Sequence, residues 1–193
     1  MKKRLTLTLN QELSKNILKS KADVLVVGVN EGKTLNSSAK EIDSATNGSI
    51  KELMKRGEFE AKVGQTAYIA TNEGTKADRI FLIGVGKSNT ALNNEDMDKI
   101  ASSVTSVLTS KKSAVGLVAL PAMKYDSKDR TDSSLLQKLG TSLESKSYTY
   151  DAKLNKKNKS INFLKKVSIF IDSKEALAKL KKGLKTGQVV GQG

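Results

Sequence analysis

The sequence predicts an α/β fold, a mixed β-sheet flanked by helices. Three observations lead there. The runs ADVLVVGV (22–29), RIFLIGV (79–85) and AVGLVAL (114–120) are almost wholly apolar, as expected of strands covered on both faces. Between them, apolar residues recur at helical spacing. The two patterns alternate along the chain, which is the order an α/β sheet requires.

Each element follows from its own residues. RLTLTLN (4–10) alternates polar and apolar and reads as a half-buried strand. After ADVLVVGV comes a polar loop, NEGKT, then a helix over SSAKEIDSAT (37–46), interrupted by Asn47-Gly48. Ser49 and Glu52 have the spacing of a capping box for a second short helix, IKELMKR, and Gly57 is placed to stop it. GQTAYIAT (64–71) and RIFLIGV are strands whose link, NEGTKAD, suits a hairpin. Met97, Ile100, Ala101, Val104, Val107 and Leu108 mark one face of a helix that Asn93 or Asn94 can cap.

AVGLVAL is closed by Pro121, and KYDSKDRT is loop. Leu135, Leu136, Leu139 and Leu143 mark another helix. YTYDA (148–152) reads as a short strand or edge, and LNKKNKSIN as a charged, exposed excursion. KVSIFID (166–172) is a strand, and Leu177, Leu180 and Leu184 mark a last helix. The closing GLKTGQVVGQG has three glycines in its last seven residues and reads as a hinge or the start of a further segment.

The 193 residues suffice for one sizeable domain with its own core. No run approaches the roughly 18 apolar residues of a membrane span. The start, MKKRLTLTLNQELSKN, lacks the apolar stretch of a signal peptide, and there is no cysteine for disulfides. These features favour the cytoplasm. The net charge of +14 would attract nucleic acid or acidic surfaces. Only Arg4, Arg56, Arg79 and Arg130 are arginines, however, and aromatics are 4% with no Trp. Base readout and stacking both want those residues, so the plainer reading is a solvated, lysine-rich surface.

IFLIGVGKSN (80–89) resembles a strand breaking into a phosphate loop. A P-loop needs glycine five positions before Gly86-Lys87-Ser88, where Phe81 stands. A dinucleotide fingerprint after Gly84 and Gly86 needs glycine where Asn89 stands. Both patterns fail, which leaves a buried strand ending in a tight turn with Lys87 in solvent.

Acid–base chemistry would have to come from Asp43, Glu52, Glu58, Glu60, Asp78, Asp96, Asp98, Asp126, Asp129 or Asp132, because the chain has no histidine. Glu58 and Glu60 flank Phe59 and would point the same way in an extended stretch, but Lys55, Arg56 and Lys62 surround them as a salt-laced surface. Glu95, Asp96 and Asp98 fit the acidic first turn of a helix. No serine sits in a nucleophile elbow, and Ser88 beside Lys87 is adjacency without geometry. No catalytic, cofactor-binding or metal-binding residue is assigned.

NGSIKELMKRGEFEAKVGQTAYI (47–69) followed by RIFLIGVGK (79–87) resembles the N-terminal domain of the leucyl aminopeptidases, the cytosol aminopeptidase family. The shared features are Asn47-Gly48, Arg56-Gly57-Glu58-Phe59, Lys62, Gly64-Gln65-Thr66, and Arg79 to Lys87. ADVLVVGV, SYTYDAKLNKKNK and KVSIFID fit the segments around them, so the resemblance runs along nearly the whole chain. Ala61 departs from it where glycine is usual, which puts a local turn in question.

The resemblance implies a three-layer, macro-domain-like fold over residues 1–185. Residues 186–193 then begin a linker toward a C-terminal catalytic domain outside this sequence. It further implies a parent that removes N-terminal amino acids from peptides with two divalent metals, Mn or Zn, held in that other domain, and that assembles as a hexamer. This piece would serve packing and assembly and be inactive alone. The alternative is a binding module, holding DNA on its basic surface or an ADP-ribose-like ligand on a macro-like sheet.

Overall fold

The computed structural model describes residues 5–10, 17–70, 73–110, 113–154 and 164–192. The strands are β1 (Thr6–Asn10), β2 (Val24–Glu31), β3 (Thr66–Ile69), β4 (Ile80–Lys87), β5 (Val115–Leu120) and β6 (Lys166–Ile171). They form one sheet in the order β1-β6-β5-β2-β4-β3. All neighbours are parallel except β3, which runs antiparallel to β4 with Thr66 opposite Ile83 and Ile69 opposite Ile80. The sheet is therefore mixed, and the 64–85 segment is the expected hairpin at its edge. β1 is the other edge strand and, as its alternating sequence predicts, only half-buried.

The helices are α1 (Ser37–Ala45), α2 (Ser49–Lys55), α3 (Asn94–Ser110), α4 (Asp132–Leu154) and α5 (Leu177–Val190). Residues of β2 alternate between two cores. Val24 and Val26 join the face covered by α3, α4 and α5, where Ile100, Val104, Leu136, Leu139 and Leu180 are buried. Leu25, Val27 and Val29 join the face covered by α1 and α2, with Ile42, Ile50 and Phe59. Every one of these β2 side chains is fully buried, which is why the segment reads as an unbroken apolar run. The result is three layers: helices, sheet, helices.

The helix ends refine the sequence reading. Asn93 caps α3 with a reciprocal pair: its Oδ1 accepts from Asp96 N–H at 3.0 Å, and Asp96 Oδ2 accepts from Asn93 N–H at 3.1 Å. α2 has no capping box. Its first turn is capped from α1 instead, by buried Asp43, whose Oδ1 accepts from the N–H groups of Ile50 at 3.0 Å and Lys51 at 3.1 Å. Ser49 donates its hydroxyl back to the Thr46 carbonyl and cannot cap forward. A carboxylate brought in by the Asn47-Gly48 turn outcompetes the local serine, a contact that spacing along the helix does not reveal. Gly57 ends α2 as expected, at φ 72°, with Gly57 N–H to Met54 O and Glu58 N–H to Leu53 O closing a Schellman motif.

Two expectations at the C-terminal side are corrected. YTYDA is not a strand: the backbone of α4 continues through it to Leu154. Strand propensity of Thr and Tyr yields to a helix already nucleated by a leucine-rich start, since each added residue then gains a hydrogen bond at low cost. Most of the LNKKNKSIN excursion, residues 155–162, lies outside the described residues. The glycines near the end are not a hinge as far as Gly191. Gly187 lies inside α5 and Gly191 caps it. With Gly183 they form a four-residue ladder against α4. A Cβ on Gly187 would stand 1.9 Å from the Gln137 carbonyl oxygen, and one on Gly183 2.3 Å from that of Ser133.

Hydroxyls of α4 exploit this approach: Ser133 donates to Lys179 O (2.9 Å), Thr141 to Gly187 O (3.0 Å) and Ser145 to Gly191 O (3.3 Å). Buried Glu144 accepts from the side-chain amides of Gln188 and Gln192, each at 3.2 Å, and Gln188 also donates to Leu5 O at 2.8 Å, joining the helix pair to the start of the sheet.

Gly187→Ala separates two explanations of this ladder. Helix propensity alone would make alanine better by about 1 kcal/mol. Steric contact predicts a loss of about 3 kcal/mol, read as a lower denaturation midpoint in urea.

Candidate functional site

Ligands of open α/β sheets bind beyond the carboxyl ends of the parallel strands, where the connecting loops diverge. Here that edge is occupied by its own loops. β2 ends at Asn30-Glu31, whose side chains face inward business. The Asn30 amide donates to Gly86 O at 3.3 Å. Asn36, the N-cap of α1, accepts from Ala39 N–H and donates to Gly28 O at 2.9 Å and to Asn30 Oδ1 at 3.2 Å. Pro121, at the end of β5, lies close against β2: its Cδ would be 2.8 Å from a Cβ on Gly28. The β5–α4 loop then bonds to the β4–α3 loop, through Leu92 N–H to Lys124 O at 2.9 Å and Asp126 N–H to Leu92 O at 3.1 Å.

The glycine-rich end of β4 accommodates protein. Residues 61–65 cross over it, and a Cβ on Gly84 would stand 2.0 Å from the Lys62 carbonyl oxygen. Backbone bonds fix the crossing: Gly64 N–H to Gly84 O (2.9 Å), Gly84 N–H to Gln65 O (2.7 Å) and Gly86 N–H to Ala61 O (3.1 Å). The Gln65 side chain accepts from Glu60 and Lys62 N–H groups and so holds the turn from within. Lys87 is exposed, 3.9 Å from Glu31. Gly84-Val85-Gly86-Lys87 is thus the end of a core strand with another segment laid across it, as its failed match to the phosphate-loop patterns implies.

Ala61 sits in that crossing at φ 60°, fully buried. The departure singled out in the sequence therefore falls on a left-handed position, which costs an alanine about 1–2 kcal/mol.

The candidate carboxylates are distributed among structural tasks. Asp43 caps α2 and lies 3.4 Å from Lys51. Glu52 and Glu58 both meet Arg56, and Glu60 meets Lys62. Glu58 and Glu60 are exposed and flank buried Phe59, as the extended reading requires. Glu95 pairs with Lys99 at 2.7 Å, Asp96 caps α3, and Asp98 pairs with Lys138 at 2.6 Å. Asp126 pairs with Arg130 at 2.6 Å. Asp129 takes part in the loop before α4 through its backbone, its N–H bonding Ser127 and its carbonyl Ser134. Asp78 lies between β3 and β4, its N–H bonded to Ala22 O.

Asp132 differs from the rest. It is 6% exposed, and its Oδ1 accepts from the Tyr125 hydroxyl at 2.7 Å. Burial pushes its carboxyl above the ordinary aspartate range, and the neighbouring Glu175 and Asp172 add to that. Nothing in the sequence pattern distinguished Asp132 from the other loop acids, because its partners come from three separate connections. Among the described residues, no group of three or more His, Cys, Asp or Glu is placed to hold a metal ion, and no helix is long and apolar enough to cross a membrane.

A six-stranded mixed sheet between two helical layers, with its ligand edge spanned by loops, defines the class: a macro-like α/β domain. Solved structures share this fold. The match to a mutant of tomato leucine aminopeptidase has TM-score 0.66 and 14% identity, covering 95% of this chain and 35% of that one. The macro domain of ganglioside induced differentiation associated protein 2 gives 0.63 at 9% identity, covering 94% and 84%. The macrodomain of Mycobacterium tuberculosis DarG gives 0.55 at 15%, covering 86% and 97%.

Sequence relatives narrow the class. The model of the cytosol aminopeptidase family N-terminal domain matches residues 26–157. The cytosol aminopeptidase of Pseudomonas aeruginosa is 32% identical over 173 residues, 90% of this chain and 34% of that protein. A probable cytosol aminopeptidase of Paraburkholderia phymatum is 28% identical over 177 residues, with 91% and 34% covered. The chain belongs to the cytosol aminopeptidase family and is its N-terminal domain. It spans about a third of the length of these relatives.

Two outcomes follow from this geometry. Ala61→Gly relieves a backbone cost of about 1–2 kcal/mol against a lost methyl worth about 0.8 kcal/mol. Its urea midpoint should equal or exceed that of the parent chain, whereas Ala61→Val should fall well below it. ADP-ribose titrated into the 193-residue chain in a calorimeter should give no binding heat, since Pro121 and the bonded loops stand where the crevice would open.

Proposed function

We propose that this chain is the non-catalytic N-terminal part of a two-metal leucyl aminopeptidase, an enzyme that removes N-terminal amino acids from peptides in the cytoplasm. The observation that carries this reading is the family match over residues 26–157 in a chain spanning 34% of its relatives' length. Peptide-bond hydrolysis then belongs to the remaining two thirds.

The two divalent metals of that chemistry, Mn or Zn, do not fit the residues here. The chain has no His or Cys, and the candidate carboxylates with side-chain contacts are engaged as caps, ion pairs or the Tyr125 acceptor. No hydrolytic step is therefore assigned to this chain.

Its own work is packing and assembly. Residues 1–185 form the domain, and 186–193 lead toward the catalytic part. Val189 and Val190, at the end of α5, are 61% and 57% exposed. Two adjacent branched apolar side chains in water, on a helix held firmly by α4, support this end as a contact for the catalytic domain. In the hexameric parent the domain would help shape the particle.

The 193-residue chain is expected to fold and to release no product from leucine anilide with added manganese. Turnover that persists through repurification would refute the reading. Sedimentation of the full-length protein beside this chain tests the assembly role: a domain that assembles by itself will sediment faster than a monomer.

A further inference from the structure

We propose that Asp132 is a proton-tightened clasp for the three loops at the carboxyl edge of β4, β5 and β6. The geometry gives one carboxyl contacts in each direction. Asp132 is the first residue of α4, following Thr131, whose hydroxyl accepts from Ser134 N–H at 3.4 Å. Its Oδ1 accepts from Tyr125, which belongs to the β5–α4 loop. That loop is bonded on its other side to Leu92 of the β4–α3 loop, forming an isolated parallel bridge between Leu92 and Tyr125. From the β6–α5 connection, Ser173 hydrogen-bonds the Asp132 side chain. The same connection sends Glu175, whose Oε1 accepts from Ser133 N–H at 3.4 Å.

The charges around Asp132 come from every element packed there. Asp172 and Glu175 face it from the β6–α5 connection and disfavour its ionised form. Lys179 of α5 is the nearby cation, but it sits 3.0 Å from Glu175 Oε2 and is engaged there. Arg130, two residues before Asp132, is held by Asp126 at 2.6 Å. Burial, first, and the adjacent carboxylate, second, push the Tyr125 hydroxyl far up, so it remains a donor at every relevant pH. The amino end of α4 and the Tyr125 and Ser173 bonds favour a negative Asp132. Burial is the largest influence and acts the other way, so the carboxyl holds its proton above the ordinary value of 3.8.

The sign follows. A carboxyl with a raised pKa in the closed state stabilises closure fully below its ordinary value, and that contribution is lost as pH rises through the raised one. Ionisation then places a third negative charge beside Asp172 and Glu175 in a dry site. The loops are tight in mild acid and looser toward neutrality.

The test uses amide exchange in the 193-residue chain, corrected for intrinsic rates, at Leu92 and Asp126 between pH 4 and 7.5. Asp132→Asn is the control, keeping an acceptor for Tyr125 without a charge. Protection in the parent chain should fall with rising pH relative to D132N, about tenfold for each pH unit by which the closed-state pKa exceeds the open one. Parallel profiles would overturn the proposal. Carbon-detected NMR of the Asp132 carboxyl is the second measurement and needs no variant. A midpoint above 3.8 is expected, and one at or below 3.8 overturns the proposal. If D132N does not fold, Tyr125→Phe replaces it: losing the bond that favours the anion should raise the midpoint further, and an unmoved midpoint counts against the clasp.

Discussion

Strand β2 has no wet side. Its side chains from Val24 to Val29 are buried on both faces, and it takes hydrogen bonds from β5 on one flank and β4 on the other. A strand in that position cannot be satisfied by one helical layer. The two cores, one under α3, α4 and α5 and the other under α1 and α2, exist because consecutive β2 residues point in opposite directions. Burial of each Val or Leu at this density contributes on the order of 2 kcal/mol, so the strand alone fixes where both layers must lie. The parallel arrangement then requires long crossovers, and α3 and α4 supply two of them.

A second close approach shapes the edge beside β2. Residues 61–65 lie on β4 so tightly that only hydrogen fits at Gly84. The crossing forces Ala61 into a left-handed backbone and brings Gly64 under α3, where Ser103 donates to its carbonyl at 2.8 Å. The motif that most resembles the family, Arg56-Gly57-Glu58-Phe59 through Gly64-Gln65-Thr66, is thereby explained in physical terms. It closes α2, buries Phe59, and feeds the antiparallel β3 into the sheet. Its charged members pair with one another at the surface.

How much of this was legible follows a physical line. The strands and the faces of α3 and α4 could be read because burial leaves a periodic trace in a single segment. The Asn93 cap and the Gly57 stop were legible because both partners lie within a few residues. The Asp43 cap on α2 was not, because a buried acceptor seven residues upstream leaves no mark that Ser49 does not imitate. The helical course of YTYDA was hidden because local preference argued for a strand while the preceding turns of α4 argued for continuation. At the carboxyl edge the sequence excluded a phosphate loop correctly, from Phe81 and Asn89. It could not show that Pro121 seats against Gly28, or that Tyr125, Asp132 and Ser173 converge, since those partners are brought together by the sheet.

The glycine ladder of α5 carries a further consequence. Ser133, Thr141 and Ser145 bond to Lys179, Gly187 and Gly191 at a constant offset of 46 residues, so the two helices run side by side in one direction and in one register. Sliding by a turn would break every rung at once, and tilting would drive backbone into backbone. The last helix is consequently aimed as well as anchored. Polypeptide attached beyond Gln192 would set out along a bearing fixed by α4, as a gun barrel is fixed by its mount, and its orientation would be inherited from this domain before it made any contact of its own.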